Sequence, residues 1–174
     1  MVRCWMVVGC LVGCNAVEEG PPFDAPHQGL WVVVEFEEGI DGCDEVPAEL
    51  GFPFVQLGEG SGPVGDARES GLVAVPCTAE DDCQTGAAFV FLEWQGDEAF
   101  TDVTYGSFGA GVCSVQHLTE TLVPDGTGLV LEYRREFGTQ LANTPDQAGC
   151  DAMAASYTGA FECASSKRLV VEAP

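Results

Sequence analysis

Six cysteines in the body of the chain are the residues most able to form covalent cross-links. They are Cys43, Cys77, Cys83, Cys113, Cys150 and Cys163. An even number of cysteines in an oxidising compartment predicts a disulfide framework, and the sequence alone does not fix its pairing. Local spacing suggests that Cys77 and Cys83 close a short acidic loop, and that Cys150 and Cys163 tie a helix to the next strand. Cys43 with Cys113 would then follow by elimination. A zinc site is disfavoured, because the chain has no Cys-x-x-Cys pair and neither histidine has ligand spacing.

Two acidic clusters are candidates for binding a divalent cation such as calcium, which prefers carboxylate and carbonyl oxygens. The first surrounds Cys43 and contains Glu37, Glu38, Asp41, Asp44 and Glu45; the second consists of Glu80, Asp81 and Asp82. Neither cluster has the Asp-x-Asp-x-Asp-Gly spacing of an EF-hand loop. Solvated acidic loops are the alternative interpretation, and we predict no metal site and no cofactor.

Residues typical of enzyme centres are sparse in this chain. Of the two histidines, His27 falls in the N-terminal region and His117 in a strand segment that also contains Cys113 and Val115. The chain contains no Gly-x-Ser-x-Gly, His-Glu-x-x-His or phosphate-binding glycine loop. The sequence therefore predicts a protein that is not an enzyme, with no catalytic residues.

The N-terminus has the pattern of an export signal. Arg3 is followed by the apolar run 5–12 and then by Gly13 and Cys14, which gives a charged region, an apolar region and a small residue at a cleavage site. Residues 11–14, Leu-Val-Gly-Cys, resemble the lipobox of bacterial lipoproteins. The resemblance implies cleavage before Cys14, lipidation of its sulfur and anchoring to the cell envelope, with Asn15 favouring the outer membrane. An ordinary signal peptide or a membrane-spanning segment is the alternative, but the apolar run is about half the length that a spanning helix needs.

Charge narrows the possible partners. The chain has 28 acidic and 6 basic residues, a net charge of −22. Such a field repels nucleic-acid phosphates and anionic lipid head groups, so we predict no nucleic-acid partner. A basic protein or a divalent cation would be attracted, and solubility alone is the other explanation of the charge.

These features divide the chain into three parts. Residues 1–13 are the predicted lipoprotein signal peptide. Residues 14–28 are the predicted lipidated cysteine and a flexible tether, because they contain Glu18-Glu19-Gly20-Pro21-Pro22 and no apolar period. Residues 29–174 are predicted to form one β domain.

Within that domain, apolar alternation and β-branched residues predict about nine short strands. They cover residues 30–36, 52–57, 72–75, 87–94, 100–105, 112–123, 129–137, 157–163 and 168–172. Breaks are expected at 58–63, at the turn 124–126 and at 164–167. In 129–137, Leu129, Leu131, Tyr133 and Phe137 share one face, which Arg135 interrupts. We predict an all-β fold, an antiparallel barrel or sandwich stabilised by disulfides.

One helix is predicted near the C-terminus. Thr144 would be its N-cap, Pro145 its first residue and Gln147 the closing residue of a capping box, with helix-forming residues continuing to Ala155.

Gly29-Leu30-Trp31 resembles the Gly-x-Trp signature of lipocalins, which are eight-stranded barrels that carry small apolar ligands. The resemblance implies that Trp31 closes the barrel base and that a late arginine, one of Arg134, Arg135 and Arg168, packs over it. It also implies an interior ligand site, for which the candidate lining residues are Trp31, Phe89, Phe91, Leu129 and Leu131. Trp31 as an ordinary core aromatic is the alternative.

Two functional hypotheses follow. One is a membrane-anchored envelope lipoprotein that acts as a non-catalytic interaction or structural module, with a filled core and an exposed apolar patch ringed by acidic residues. The other is a lipocalin-like carrier of a small apolar ligand, with an unfilled cavity among its aromatic and leucine side chains. The sequence favours the first.

Overall fold

A computed structural model describes residues 27–41, 52–64, 67–142 and 146–174. These residues form ten strands and one helix. The elements are β1 Gly29–Asp41, β2 Phe54–Val64, β3 Ala67–Ala79, β4 Asp82–Cys83, β5 Phe89–Phe91, β6 Glu93–Gln95, β7 Glu98–Gly109, β8 Val112–Asp125, β9 Gly128–Ala142, α1 Gln147–Ala155 and β10 Phe161–Glu172. The predicted all-β, antiparallel class with one short helix near the C-terminus is confirmed.

All ten strands belong to one antiparallel sheet. Its order is β4-β3-β2-β1-β10-β9-β8-β7-β6, and β5 pairs with β3 away from this path. Strand β5 lies on β3 and β6 lies on β7, with only Leu92 between them in the chain. One segment therefore reaches both ends of the sheet, although within the described residues the sheet is not closed by continuous strand pairing.

The largest of three apolar clusters among the described residues lies on the inner face of this sheet. It draws buried side chains from both ends of the strand order, including Leu72 on β3 and Ala99 on β7. The sheet therefore curls around the core. Alternation explains the burial, since Leu129 and Leu131 on β9 are fully buried, as are Leu169 and Val171 on β10.

Two predicted strand breaks are wrong. Strand β2 continues through 58–63 to Val64, paired with β3 along its whole length. The glycines that suggested a break instead allow close packing, because a Cβ atom at Gly62 would lie 2.4 Å from a methyl carbon of Val90. Residues 164–167 are likewise not a connection, since β10 runs unbroken from Phe161 to Glu172 against β9. Conversely, the predicted strand 87–94 is divided between β5 and β6.

Helix α1 begins two residues later than predicted. Its N-cap is Asp146, whose carboxylate accepts a hydrogen bond from the backbone N–H of Gly149 at 2.8 Å. Thr144 and Pro145 lie outside the described residues. Gln147 forms no capping box; its side chain instead bonds to the backbone of Gly106 and Phe108 on β7. The glutamine therefore docks the helix onto the outer face of the sheet.

The disulfide pairing is confirmed in one bridge and wrong in another. Cys77 and Cys83 are bonded, as predicted, across the β3–β4 turn. Cys150 is bonded to Cys113 and not to Cys163. Helix packing explains this choice, because α1 lies on β7 and β8, where Cys113 and Cys150 are both fully buried. The predicted Cys150–Cys163 and Cys43–Cys113 bridges are therefore both wrong. Cys163 is itself disulfide-bonded, and Cys43 lies outside the described residues.

Candidate functional site

The five residues predicted to line an interior ligand site lie together in the main core. Phe89, Phe91, Leu129 and Leu131 are almost completely buried, and Trp31 packs against them. The phenylalanine rings are stacked with centroids 6.1 Å apart. Three concavities in the described part of the chain are lined by other residues. Their assignment to a ligand site stays a prediction.

The strand register separates Trp31 from the three arginines that the lipocalin resemblance offered as its partner. Trp31 precedes Val32, which pairs with Glu172, whereas Arg168 pairs with Glu37. Arg134 and Arg135 pair with Ser166 and Ser165, still further along β1. At about 3.3 Å per strand residue, the backbone positions of all three arginines lie about 20 Å or more from that of Trp31 along the strand direction. The indole N–H instead donates to the carbonyl of His27 at 3.0 Å.

A different pocket, of about 330 Å³, lies at the open side of the sheet. We call it the Glu120 pocket. Five of its lining residues have polar side chains that could recognise a ligand, Gln84, Glu120, Tyr133, Arg135 and Lys167. Its apolar wall is formed by Pro63, Pro76, Ala87, Ala88, Val90 and Leu118. An apolar concavity with a few polar groups on one side is typical of small-molecule sites.

The pocket lies where the sheet fails to close. The N–H of Val90 donates to a Glu120 carboxylate oxygen at 2.7 Å, and the Thr101 hydroxyl donates to the Val90 carbonyl. The N–H of Leu92 is shared between the Thr101 hydroxyl and the Phe100 carbonyl. Buried backbone groups need partners. The side chains of β7 and β8 therefore satisfy strand β5 where a neighbouring strand would otherwise do so.

Glu120 is the ionisable group most affected by this arrangement. The residue is 3% exposed. Burial raises the pKa of Glu120 from 4.5 to about 7, against the opposing effects of the Val90 N–H and of the Arg135 charge. The carboxyl group therefore exchanges its proton near neutral pH. Strongly perturbed acids in a pocket often mark functional sites, although structural networks also produce them.

Arg135 and Lys167 approach the Tyr133 ring. The guanidinium carbon of Arg135 lies 5.5 Å from the ring centroid and the Lys167 ammonium 5.8 Å. The Nε atom of Arg135 is buried and has no hydrogen-bond partner. Lys167 is 3.9 Å from Glu38 Oε1, which is buried and also lacks a hydrogen bond. The inner face thus holds two cations: Arg135, whose buried Nε–H has no acceptor among the described residues, and Lys167, which forms a long ion pair with Glu38.

The prediction of ligand residues missed this pocket, although the sequence carried a signal for it. Arg135 interrupts an otherwise apolar face of β9, Glu120 lies between Leu118 and Leu122 on β8, and Lys167 precedes Leu169 on β10. Each charged residue occupies an inward position of an alternating strand. Three such interruptions on adjacent strands predict an interior polar site.

The outer face carries a row of valines across four strands. Val123 pairs with Val130, and Val130 with Val170; the irregularity in β1 places Val34 beside them. Val34 is 51% and Val123 38% exposed. The next row is charged, with Arg168 bridging Glu35, Glu37 and Glu132. This is an apolar strip beside acidic residues.

The remaining candidates from the sequence have local roles. The His117 ring forms hydrogen bonds with the hydroxyl groups of Thr104 on β7 and Thr119 on β8. Asp82 accepts a hydrogen bond from Thr78 beside the Cys77–Cys83 bridge. Among the described residues, no group of three or more acidic, histidine or cysteine side chains has the geometry to hold a metal ion. Asp44 and Glu45 lie outside the described residues, as does Cys14.

Comparison with family models, curated proteins and solved structures gives no match to this chain. Within the described residues, no helix combines the length and the apolar composition needed to cross a membrane. The site must therefore be interpreted from its own chemistry.

Proposed function

We propose that this chain is a lipid-anchored protein of the bacterial cell envelope whose β domain binds a small organic molecule in the Glu120 pocket. The observation that carries the binding role is the pocket itself, an apolar wall facing Arg135 and Lys167. The proposal is a binding role and not a catalytic one. It keeps the carrier hypothesis but places the ligand in the Glu120 pocket and not among Trp31, Phe89, Phe91, Leu129 and Leu131.

The pocket has the size and composition for a small ligand. Its 330 Å³ corresponds to about ten water molecules at about 30 Å³ each. Small-molecule pockets start at about this volume. Displacing water from the wall formed by Ala87, Val90 and Leu118 would favour binding through the hydrophobic effect.

Native mass spectrometry of the full chain, purified from envelopes, tests the binding role. We expect a native mass that exceeds the denatured mass by a discrete organic adduct. Ala87→Leu, which fills the pocket, should remove the adduct, whereas Ala152→Leu on the exposed face of α1 should keep it. Equal native and denatured masses, or an adduct that survives Ala87→Leu in a folded protein, would count against the proposal.

The envelope anchor rests on the lipobox resemblance and is tested separately. Stable attachment needs two or more acyl chains, which the proposed lipidation of Cys14 would supply. The wild-type chain should therefore fractionate with membranes. Cys14→Ser should release it into the soluble fraction. Membrane association that persists in Cys14→Ser would refute lipid anchoring without affecting the pocket.

The valine row supports a second candidate function, an interaction module that binds a protein partner. Exposed apolar strips beside charged residues are common at interfaces. The acidic surroundings favour a partner with a basic, apolar face. Replacing Val34 and Val123 by threonine should weaken cross-linking to such a partner in intact envelopes, while Ala152→Thr should not. Unchanged cross-linking would exclude the valine row.

A further inference from the structure

We infer that the Glu120 pocket selects small apolar ligands that carry a carboxylate, with Arg135 as the residue that determines this selectivity and Lys167 assisting it. The inference rests on the proposed binding function and names the class of ligand. It is carried by unused hydrogen-bonding capacity at the arginine, by the placement of the two cations and by the apolar wall opposite them.

Arg135 lacks a close anionic partner. No ion pair within 4.0 Å involves Arg135 among the described residues, and its Nε atom is buried without an acceptor. A buried N–H donor that has no acceptor is unfavourable. A ligand carboxylate in the pocket would supply the acceptor, because arginine binds carboxylates through parallel, charge-assisted hydrogen bonds.

The position of the cations is unusual for so acidic a chain. Only six residues are basic, and two of them, Arg135 and Lys167, line this pocket. Surface cations would reduce the net charge equally well and would remain hydrated. Inward placement beside Tyr133 fits a recognition role better than a role in solubility.

The rest of the pocket limits the shape of the ligand. The wall of Pro63, Ala87, Val90 and Leu118 offers no charged group, and the volume admits a single ring or a short alkyl chain. Glu120 is the one acidic side chain lining this pocket, and it is held by the Val90 N–H. A doubly charged or strongly polar ligand would therefore leave part of its charge against apolar side chains.

Two matched pairs of probes test the inference: benzoate against benzamide, and hexanoate against hexanamide. The full-length chain, labelled with nitrogen-15, is titrated with each probe, and backbone and arginine Nε–H resonances are followed. We expect each carboxylate to bind at least about tenfold more tightly than its amide, since charge-assisted hydrogen bonds are the stronger class. The Arg135 Nε–H resonance should shift with the carboxylates.

Matched variants separate recognition from folding. Arg135→Met keeps the aliphatic stem and should abolish the preference for carboxylates. Arg134→Met removes the same charge from the exposed, neighbouring position of β9 and should leave the preference intact. If the amides bind as tightly as the carboxylates, or if both variants behave alike, the carboxylate selectivity is overturned and the pocket stands. If no probe shifts any pocket resonance, the proposed binding function fails with it.

Discussion

Replacing Glu120 by glutamine should change how the stability of the fold depends on pH. Glutamine keeps the shape of the side chain and a carbonyl oxygen that can accept from the Val90 N–H, but it does not ionise. Because burial raises the pKa of Glu120 from 4.5 to about 7, the folded state holds this proton at pH values where the unfolded state has released it. Wild-type stability should therefore fall as pH rises between these two values.

The magnitude follows from the same two values. At about 1.36 kcal/mol per pH unit, the interval from 4.5 to about 7 corresponds to about 3 kcal/mol of folding free energy. This contribution is fully present below pH 4.5 and is lost above about pH 7. The Glu120→Gln variant lacks the loss, so its stability relative to wild type should increase by about 3 kcal/mol across this range.

Urea denaturation followed by tryptophan fluorescence, repeated from about pH 4 to about pH 8, measures this difference. Any constant offset from the new amide group cancels, because only the change with pH is compared. Glu98→Gln is the control, because Glu98 is exposed on β7. This substitution removes one carboxylate from the same acidic protein without changing a buried group. A pH-independent difference between Glu120→Gln and wild type would refute the view that Glu120 is buried and protonated near neutral pH.

Three further predictions concern packing, the disulfide and the ligand. Gly62→Ala should destabilise the fold by about 1–3 kcal/mol in urea denaturation, because the added Cβ would lie 2.4 Å from a Val90 methyl carbon. Gly58→Ala should destabilise it much less, because a Cβ there meets no atom within 4 Å. Equal effects of the two substitutions would contradict the packing of β2. Replacing both Cys113 and Cys150 by alanine should lower the free energy of unfolding by about 4 kcal/mol, from the loop entropy of a bridge spanning 37 residues; a loss below about 1 kcal/mol would show that the bridge does not restrain the unfolded chain. Benzoate should bind more tightly as pH falls from about 8 to about 6, since protonation of Glu120 removes a negative charge near the pocket cations. Glu120→Gln should abolish this pH dependence of benzoate binding. If the pH dependence persists in the variant, another ionisable group causes it.

The alternation of apolar residues was enough to predict most of the strands. Leu129 and Leu131 share the buried face that their spacing predicts, and the turn after Pro124 joins β8 to β9 in register. The glycines of β2 gave a wrong strand boundary, because glycine in a sequence usually indicates a turn or a strand break. In the folded chain, Gly62 provides room for Val90 from a segment far along the sequence, and such long-range packing leaves no local signal.

The disulfide pairing shows a similar limit. Cys77 and Cys83 were predictable because they lie close in the chain and across one turn. Cys113 and Cys150 meet only because α1 folds back on β7 and β8, where Gly106 lets the Cys150 backbone approach. That docking depends on the orientation of an element that the sequence places only approximately.

The incomplete closure of the sheet explains why polar side chains lie beside β5 and why the pocket is found there. A ladder of strand hydrogen bonds between β5 and β7 would leave no need for side chains there, and apolar residues could fill the interior. Because β5 turns away after Phe91, its backbone groups require the Thr101 hydroxyl and the Glu120 carboxylate. A buried carboxylate favours a nearby cation, and Arg135 lies close enough to lower its pKa but too far to form an ion pair within 4.0 Å. Arg135 keeps a buried Nε–H without an acceptor, and the proposed ligand carboxylate would supply that acceptor beside the apolar wall.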